Sequence, residues 1–104
     1  MRSKGIALRL RPGRYEDYKQ RHDELWPELE EILEANGVSM VIYRFNDYLF
    51  VHETAPSEEA WERLGAHPVT ARWNVYMADV LETDEDGNIR FYRLPLAFAF
   101  GEFR

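Results

Sequence analysis

Apolar residues in this chain recur with two different periods, and the order in which the periods alternate constrains the fold more than any other feature. Within residues 6–10 every second residue is a large aliphatic, which is typical of a half-buried strand. From Arg14 the apolar residues recur every three or four positions, which predicts a helix ending at Asn36-Gly37. Pro27 falls inside this helix and cannot donate a backbone hydrogen bond, so we expect the helix to bend there.

The rest of the chain continues this alternation with a hairpin and a pair of helices. Strands are predicted at Ser39–Phe45 and 48–53, and a helix should begin after Ser57, a good N-cap. A further helix is predicted over 68–81 and a last strand over 89–94. This order is typical of the ferredoxin-like α+β class, in which a four-stranded antiparallel sheet carries its helices on one face.

Residues 1–104 are predicted to form a single domain, because a chain of this length supports one core and shows no linker. The helix-free face of a ferredoxin-like sheet needs a cover from a second subunit or a ligand. The tail, residues 95–104, alternates large and small apolar residues, so we expect it to pack across a homodimer interface. Packing of the tail within its own chain is the alternative.

Composition argues against several classes of function. A net charge of −6 is unfavourable for nucleic acid, and no apolar run reaches the roughly 20 residues of a membrane-spanning helix. Cysteine is absent, which removes thiolate metal sites and thiol nucleophiles. The histidines lack the short spacing of metal ligands, so no metal site is predicted. The N-terminus lacks the apolar stretch of a secretory signal, and we expect a cytoplasmic protein.

Aromatic residues around a histidine of the first helix are the strongest candidates for chemistry. Tyr18 and His22 are four residues apart and therefore share a helix face. An imidazole can donate or accept a proton at cellular pH, and a phenol can bind a sugar hydroxyl. Trp73 in the later helix offers a stacking plane. Together these groups suit proton transfer on a carbohydrate, although each taken singly is more often a core residue.

A second histidine, His52, alternates with Tyr48 and Phe50 along a predicted strand. If that face of the sheet is free of helices, the imidazole lies beside two aromatic rings in a possible pocket. The sequence pattern leaves open which face of the sheet the helices cover.

Two segments resemble the signature stretches of the L-rhamnose mutarotase family. They are residues 18–29, YKQRHDELWPEL, and residues 71–80, ARWNVYMADV. The similarity extends over about residues 4–94. It implies a dimeric α/β-barrel built from ferredoxin-like subunits, and an isomerase without cofactor that interconverts the α and β anomers of a 6-deoxy sugar.

The same resemblance implies roles for individual residues. His22 would be the general acid, Tyr18 would contact the sugar, and Trp73 would be the first residue of a tryptophan pair that lines the pocket. Asn74 occupies the position of the second tryptophan, and Met40 lies nearest to the position of a substrate-binding tyrosine.

A third departure from the family pattern is His52, which replaces an apolar residue. The pocket therefore has fewer stacking surfaces and more polar groups than the family pattern implies, and we include His52 among the candidate sugar contacts. A sugar with a different hydroxyl configuration, such as L-fucose, would suit this change.

Ring opening requires a proton donor to the ring oxygen and a base at the anomeric hydroxyl. The sequence leaves the base open between His52, a carboxylate and a bound water. Two other functions are also open at this point. One is a cofactor-free oxygenase or cyclase of the dimeric α/β-barrel type, and the other is a non-catalytic module that binds a small ligand.

Overall fold

The computed structural model describes residues 1–103 of the chain. Its elements, in chain order, are β1 (Arg2–Arg9), α1 (Tyr15–Asp23), α2 (Pro27–Ala35), β2 (Ser39–Phe45), β3 (Tyr48–Ala55), α3 (Glu58–Ala66), α4 (Pro68–Ala78), β4 (Tyr92–Leu94) and a short 3₁₀ turn, Gly101–Phe103.

Within these residues the strands form a four-stranded sheet in the order β2-β3-β1-β4, and each neighbouring pair is antiparallel. Leu8 and Val51 of the sheet pack against Tyr18 of α1 and Met77 of α4 in the main hydrophobic core. The predicted ferredoxin-like α+β arrangement, with helices on one face of the sheet, is confirmed.

The prediction of one bent helix around Pro27 is wrong, because residues 24–26 leave the helical conformation and separate α1 from α2. Trp26 is extended, with φ −62° and ψ 130°, and Pro27 is the first residue of α2. Proline disfavours the helical conformation in the residue before it, and its fixed φ suits the first turn of a helix. The break leaves Trp26 in an extended conformation three residues after the end of α1.

Other boundaries differ by a few residues from the predictions. β1 begins at Arg2, and β4 is confined to Tyr92–Leu94, while Ile89 forms an isolated bridge to Thr83. Gly37 has the left-handed φ of 66° expected at the end of α2.

Side chains at the starts of α3 and α4 bond the first free N–H groups. Ser57 Oγ accepts a hydrogen bond from the N–H of Ala60 at 3.3 Å, as its predicted N-cap role requires. His67 Nδ1 accepts one from the N–H of Val69 at 3.1 Å. His67 is therefore occupied at a helix boundary.

The sheet face without helices carries exposed aromatic side chains. Tyr43 of β2, Phe50 of β3, Ala7 of β1 and Tyr92 of β4 are successive partners in one row across this face. In the tail, whose last residue Arg104 lies outside the described residues, Leu96 and Phe98 are exposed, and the Phe103 ring contacts His52 with centroids 5.2 Å apart. No helix in residues 1–103 is long and apolar enough to cross a membrane.

Candidate active site

Three aromatic rings of α1 and α4 meet beneath the sheet. The rings of Tyr18 and His22 lie 4.4 Å apart and tilted, as their four-residue spacing on α1 requires. Trp73 of α4 approaches the His22 ring edge-on at 5.4 Å. Trp26, from the break after α1, meets Trp73 edge-on at 5.1 Å and stacks on Tyr76 at 5.3 Å. The imidazole is thus held on two sides by aromatic rings.

The backbone of α1 determines which nitrogen of His22 is available for chemistry. Nδ1 lies 3.3 Å from the carbonyl oxygen of Tyr18. A carbonyl oxygen only accepts, so Nδ1 carries the hydrogen in this bond, and Nε2 is left to exchange protons with a ligand. Burial lowers the pKa of His22 below its ordinary value, and this effect exceeds the raising effects of that hydrogen bond and of Asp23. Burial therefore makes the protonated ring a stronger proton donor than a free imidazolium.

Two arginines of the α1 region fix α1 against the end of α4. Arg21 donates to the carbonyl oxygen of Tyr76 at 2.8 Å and to Asp79 Oδ2 at 3.0 Å, and Arg14 donates to the same carboxylate oxygen at 2.9 Å. These hydrogen bonds hold the pKa of Asp79 below its usual value. These hydrogen bonds fix α1, which carries His22, against α4, which carries Trp73.

Between this cluster and the sheet lies a cleft with two adjoining lobes, of about 120 and 560 Å³. The larger lobe is within the range of about 300–1,000 Å³ typical of small-molecule sites. Both lobes are lined by Ile6, His22, Met40, Ile42, Glu53, Trp73, Asn74 and Phe91, and Tyr18 lines the smaller one. The structure thus brings His22, Tyr18, Trp73, Asn74 and Met40 together.

The Tyr18 phenol is a neutral hydrogen-bond donor at the edge of the cleft. Tyr18 is 4% exposed, and burial raises the pKa of its hydroxyl well above the ordinary value. Among residues 1–103 its hydroxyl has no hydrogen-bond partner. A ligand hydroxyl in the cleft can therefore take that place.

His52 lies outside this cleft, so the structure does not bring it together with the other candidate sugar contacts. It pairs with Gly5 of β1 on the helix-free face of the sheet and contacts Phe103 of the tail. Successive strand residues point to opposite faces, so the neighbour of His52, Glu53, faces the helices and lines both lobes.

Glu53 is the residue of this cleft that the sequence analysis missed. It is half-buried, and burial raises the pKa of its carboxyl group. The available signal was its position, because Glu53 alternates with Leu49, Val51 and Ala55, which are all buried. An acid in an apolar row of a strand indicates a special role or an unusual partner.

Comparison with known proteins identifies the family to which this chain belongs, and the result is consistent with a cleft that binds a small molecule. A sequence model of the L-rhamnose mutarotase family matches residues 3–98. This chain belongs to that family. It is 37% identical over 86 residues to an L-rhamnose mutarotase from Rhizobium johnstonii, covering 80% of this chain and 81% of the relative. An L-rhamnose mutarotase from Phocaeicola vulgatus is 32% identical over 101 residues, 94% of this chain and 97% of the relative.

Solved structures agree with the assignment to the L-rhamnose mutarotase family. The crystal structure of an L-rhamnose mutarotase from Formosa agariphila has a TM-score of 0.81 and 27% identity, covering 97% of this chain and all of that one. A NIPSNAP domain protein from Burkholderia xenovorans, with a TM-score of 0.64 and 14% identity, shares the fold. As a member of the family, the protein is an isomerase that acts on sugar anomers.

Proposed function

We propose that this protein exchanges the α and β anomers of a 6-deoxy-hexopyranose, L-rhamnose or L-fucose, by acid–base opening and closing of the ring. The observation that carries the proposal is the His22 imidazole, whose Nδ1 is occupied by the Tyr18 carbonyl while the ring lines a cleft of monosaccharide scale. The relatives named L-rhamnose mutarotase support the reaction class.

In this mechanism the protonated, cationic form of His22 delivers a proton from Nε2 to the ring oxygen as the bond from that oxygen to the anomeric carbon breaks. A second group takes the proton of the anomeric hydroxyl, and the free aldehyde forms. Rotation about the bond between C1 and C2 then presents the other face of the carbonyl, and closure returns both protons. The reaction consumes no oxidant and leaves no covalent intermediate.

Sugar recognition follows from the mixture of apolar and polar groups in the cleft. Trp73 offers an indole edge or face to the apolar side of the pyranose, and Tyr18 donates to a hydroxyl. Asn74 adds an amide, with both a donor and an acceptor, where the family pattern has a second tryptophan. L-Rhamnose and L-fucose differ in hydroxyl configuration at C2 and C4, and the added amide favours L-fucose.

Saturation-transfer NMR on a panel of reducing sugars tests this function. We expect the protein to accelerate anomer exchange of 6-deoxy-L-sugars above the spontaneous rate, and exchange of L-fucose to be at least as fast as that of L-rhamnose. Clearly faster exchange of L-rhamnose would reject the preference for L-fucose. No acceleration with either sugar would reject the proposed reaction.

Removal of the Tyr18 hydroxyl should weaken sugar binding more than it slows the chemical step. A neutral hydrogen bond contributes about 0.5–1.5 kcal/mol, so Tyr18→Phe should raise KM about 3- to 10-fold and leave kcat within about twofold. Initial rates over a range of sugar concentrations measure both constants. Tyr43→Phe, on the opposite face of the sheet, is the matched control. An unchanged KM in Tyr18→Phe would show that the phenol does not bind the sugar.

We also propose that the helix-free face pairs with the same face of a second copy, which gives a homodimeric α/β-barrel. The exposed aromatic row across the sheet supports this pairing, because so large an apolar surface is rare on a monomer. The tail, residues 95–104, would extend the interface, since Leu96 and Phe98 remain exposed in a single chain.

A further inference from the structure

Glu53 occupies a position where a carboxylate is costly. In β3 the side chains of Leu49, Val51 and Ala55 share its face and are buried against the helices. A carboxylate among such residues loses hydration and needs compensation from a partner or a ligand. Glu53 lines both lobes of the cleft together with His22, so the carboxylate and the imidazole face one ligand space.

The protein groups around Glu53 offset only part of the cost of its burial. Lys4 of β1 is its cross-strand partner, but its Nζ lies over the Trp61 ring, 4.4 Å from the centroid. Among residues 1–103 Glu53 forms no ion pair. The buried Nε1–H of Trp61, in α3, has no well-aligned hydrogen bond within residues 1–103. Lys4, Trp61 and His52 each lower the pKa of Glu53. Burial outweighs these effects and raises that pKa.

We propose that Glu53 is the second proton-transferring group of the reaction and takes the proton of the anomeric hydroxyl while His22 protonates the ring oxygen. This inference rests on the proposed function and deepens it. It assigns the base, which the sequence leaves open, to a carboxylate that shares the cleft with the imidazole.

The step balances in atoms and electrons. The O–H bond of the anomeric hydroxyl breaks and its proton moves to Glu53, while the freed electron pair forms the carbonyl bond. The bond between C1 and the ring oxygen breaks with both electrons on that oxygen, which takes the proton of His22 Nε2. Closure reverses every transfer on the other carbonyl face. The anomeric hydroxyl is axial in one anomer and equatorial in the other, and the two carboxylate oxygens offer an acceptor for each.

The local environment favours this exchange of protons. Burial lowers the pKa of His22 and raises that of Glu53, so the neutral pair formed by ring opening is stabilised relative to the ion pair. The active pair holds one exchangeable proton, which is on His22 Nε2 before ring opening and on Glu53 after it. Activity should therefore fall at low pH, where both groups are protonated, and at high pH, where neither is. Lys4 and His52 near Glu53, and Lys19 and Asp23 near His22, modulate these limits.

The test compares Glu53→Gln with the wild type by saturation-transfer NMR from acid to alkaline pH. Glutamine keeps the shape of the side chain but accepts no proton, so we expect kcat to fall at least about tenfold with KM within about twofold. The acid limb of the pH profile should disappear, which a purely structural role would not cause. Glu62→Gln, an exposed acid on α3, should keep the rate and the profile.

Two further variants keep the test decisive if Glu53→Gln unfolds. Glu53→Asp retains a carboxylate and should keep the acid limb at a reduced rate, and Glu53→Ala should regain activity in added formate. Wild-type kcat and a two-sided profile in Glu53→Gln, loss of the acid limb in Glu53→Asp, or a failure of formate to restore Glu53→Ala would each overturn the inference. Absence of exchange in the wild type would instead overturn the proposed function.

Discussion

His22→Ala should lower catalysed anomer exchange by at least about tenfold while the fold is retained, because general acid–base catalysis is typically worth about 10²- to 10⁴-fold. The remaining rate would come from sugar binding and from whatever base and water still reach the ring. Since Nδ1 is held by the Tyr18 carbonyl, the loss is assigned to Nε2. Exchange rates at saturating sugar measure the effect, and circular dichroism checks the fold.

His52→Gln is the matched control for this loss, because it removes an imidazole from the opposite face of the sheet. We expect it to retain the wild-type rate at neutral pH. Unaltered turnover in His22→Ala would remove that imidazole from the mechanism. A comparable loss in both variants would mean that the reaction depends on the helix-free face as well, contrary to the geometry of the cleft.

Local patterns in the sequence were sufficient for much of the fold. The change of period along the chain located the strands and helices, and the Asn36-Gly37 pair ended α2 as predicted. The bend predicted at Pro27 is instead a complete interruption between α1 and α2. A proline bends a helix when neighbouring packing preserves the turn before it, and here Trp26 instead packs against Trp73 and Tyr76 in an extended conformation.

The candidate site divides in the same way between local and tertiary information. Tyr18 and His22 could be paired from the sequence because their contact depends on one helix. His52 and Glu53 are adjacent in β3 and face opposite sides, so choosing between them required knowing which face the helices cover. The usual clue is that one face is polar. In β3, however, Phe50 is apolar on the open side just as Val51 is on the covered side.

This apolarity of both sheet faces leads to the other large expected effect, on assembly. Phe50 is 38% exposed in the single chain and lies between Tyr43 and Ala7 in the row across the open face. In a two-fold symmetric dimer the face meets itself, so Phe50→Glu would place two unpaired carboxylates in one apolar interface. Leaving a charge unpaired in such a setting costs about 3–5 kcal/mol. We therefore expect the dissociation constant of the dimer to rise at least 100-fold, which corresponds to about 3 kcal/mol.

Sedimentation equilibrium measures this change directly. The wild type should sediment at twice the chain mass of 12.4 kDa, and Phe50→Glu at that mass over the same concentrations. Val75→Glu is the control, because Val75 is 77% exposed on α4, away from the proposed interface, and should leave the dimer intact. A wild type that sediments as a monomer would contradict the pairing, and the aromatic row would then need another partner. A dimer that survives Phe50→Glu would place the interface elsewhere, because an apolar contact through this row cannot accommodate the charge.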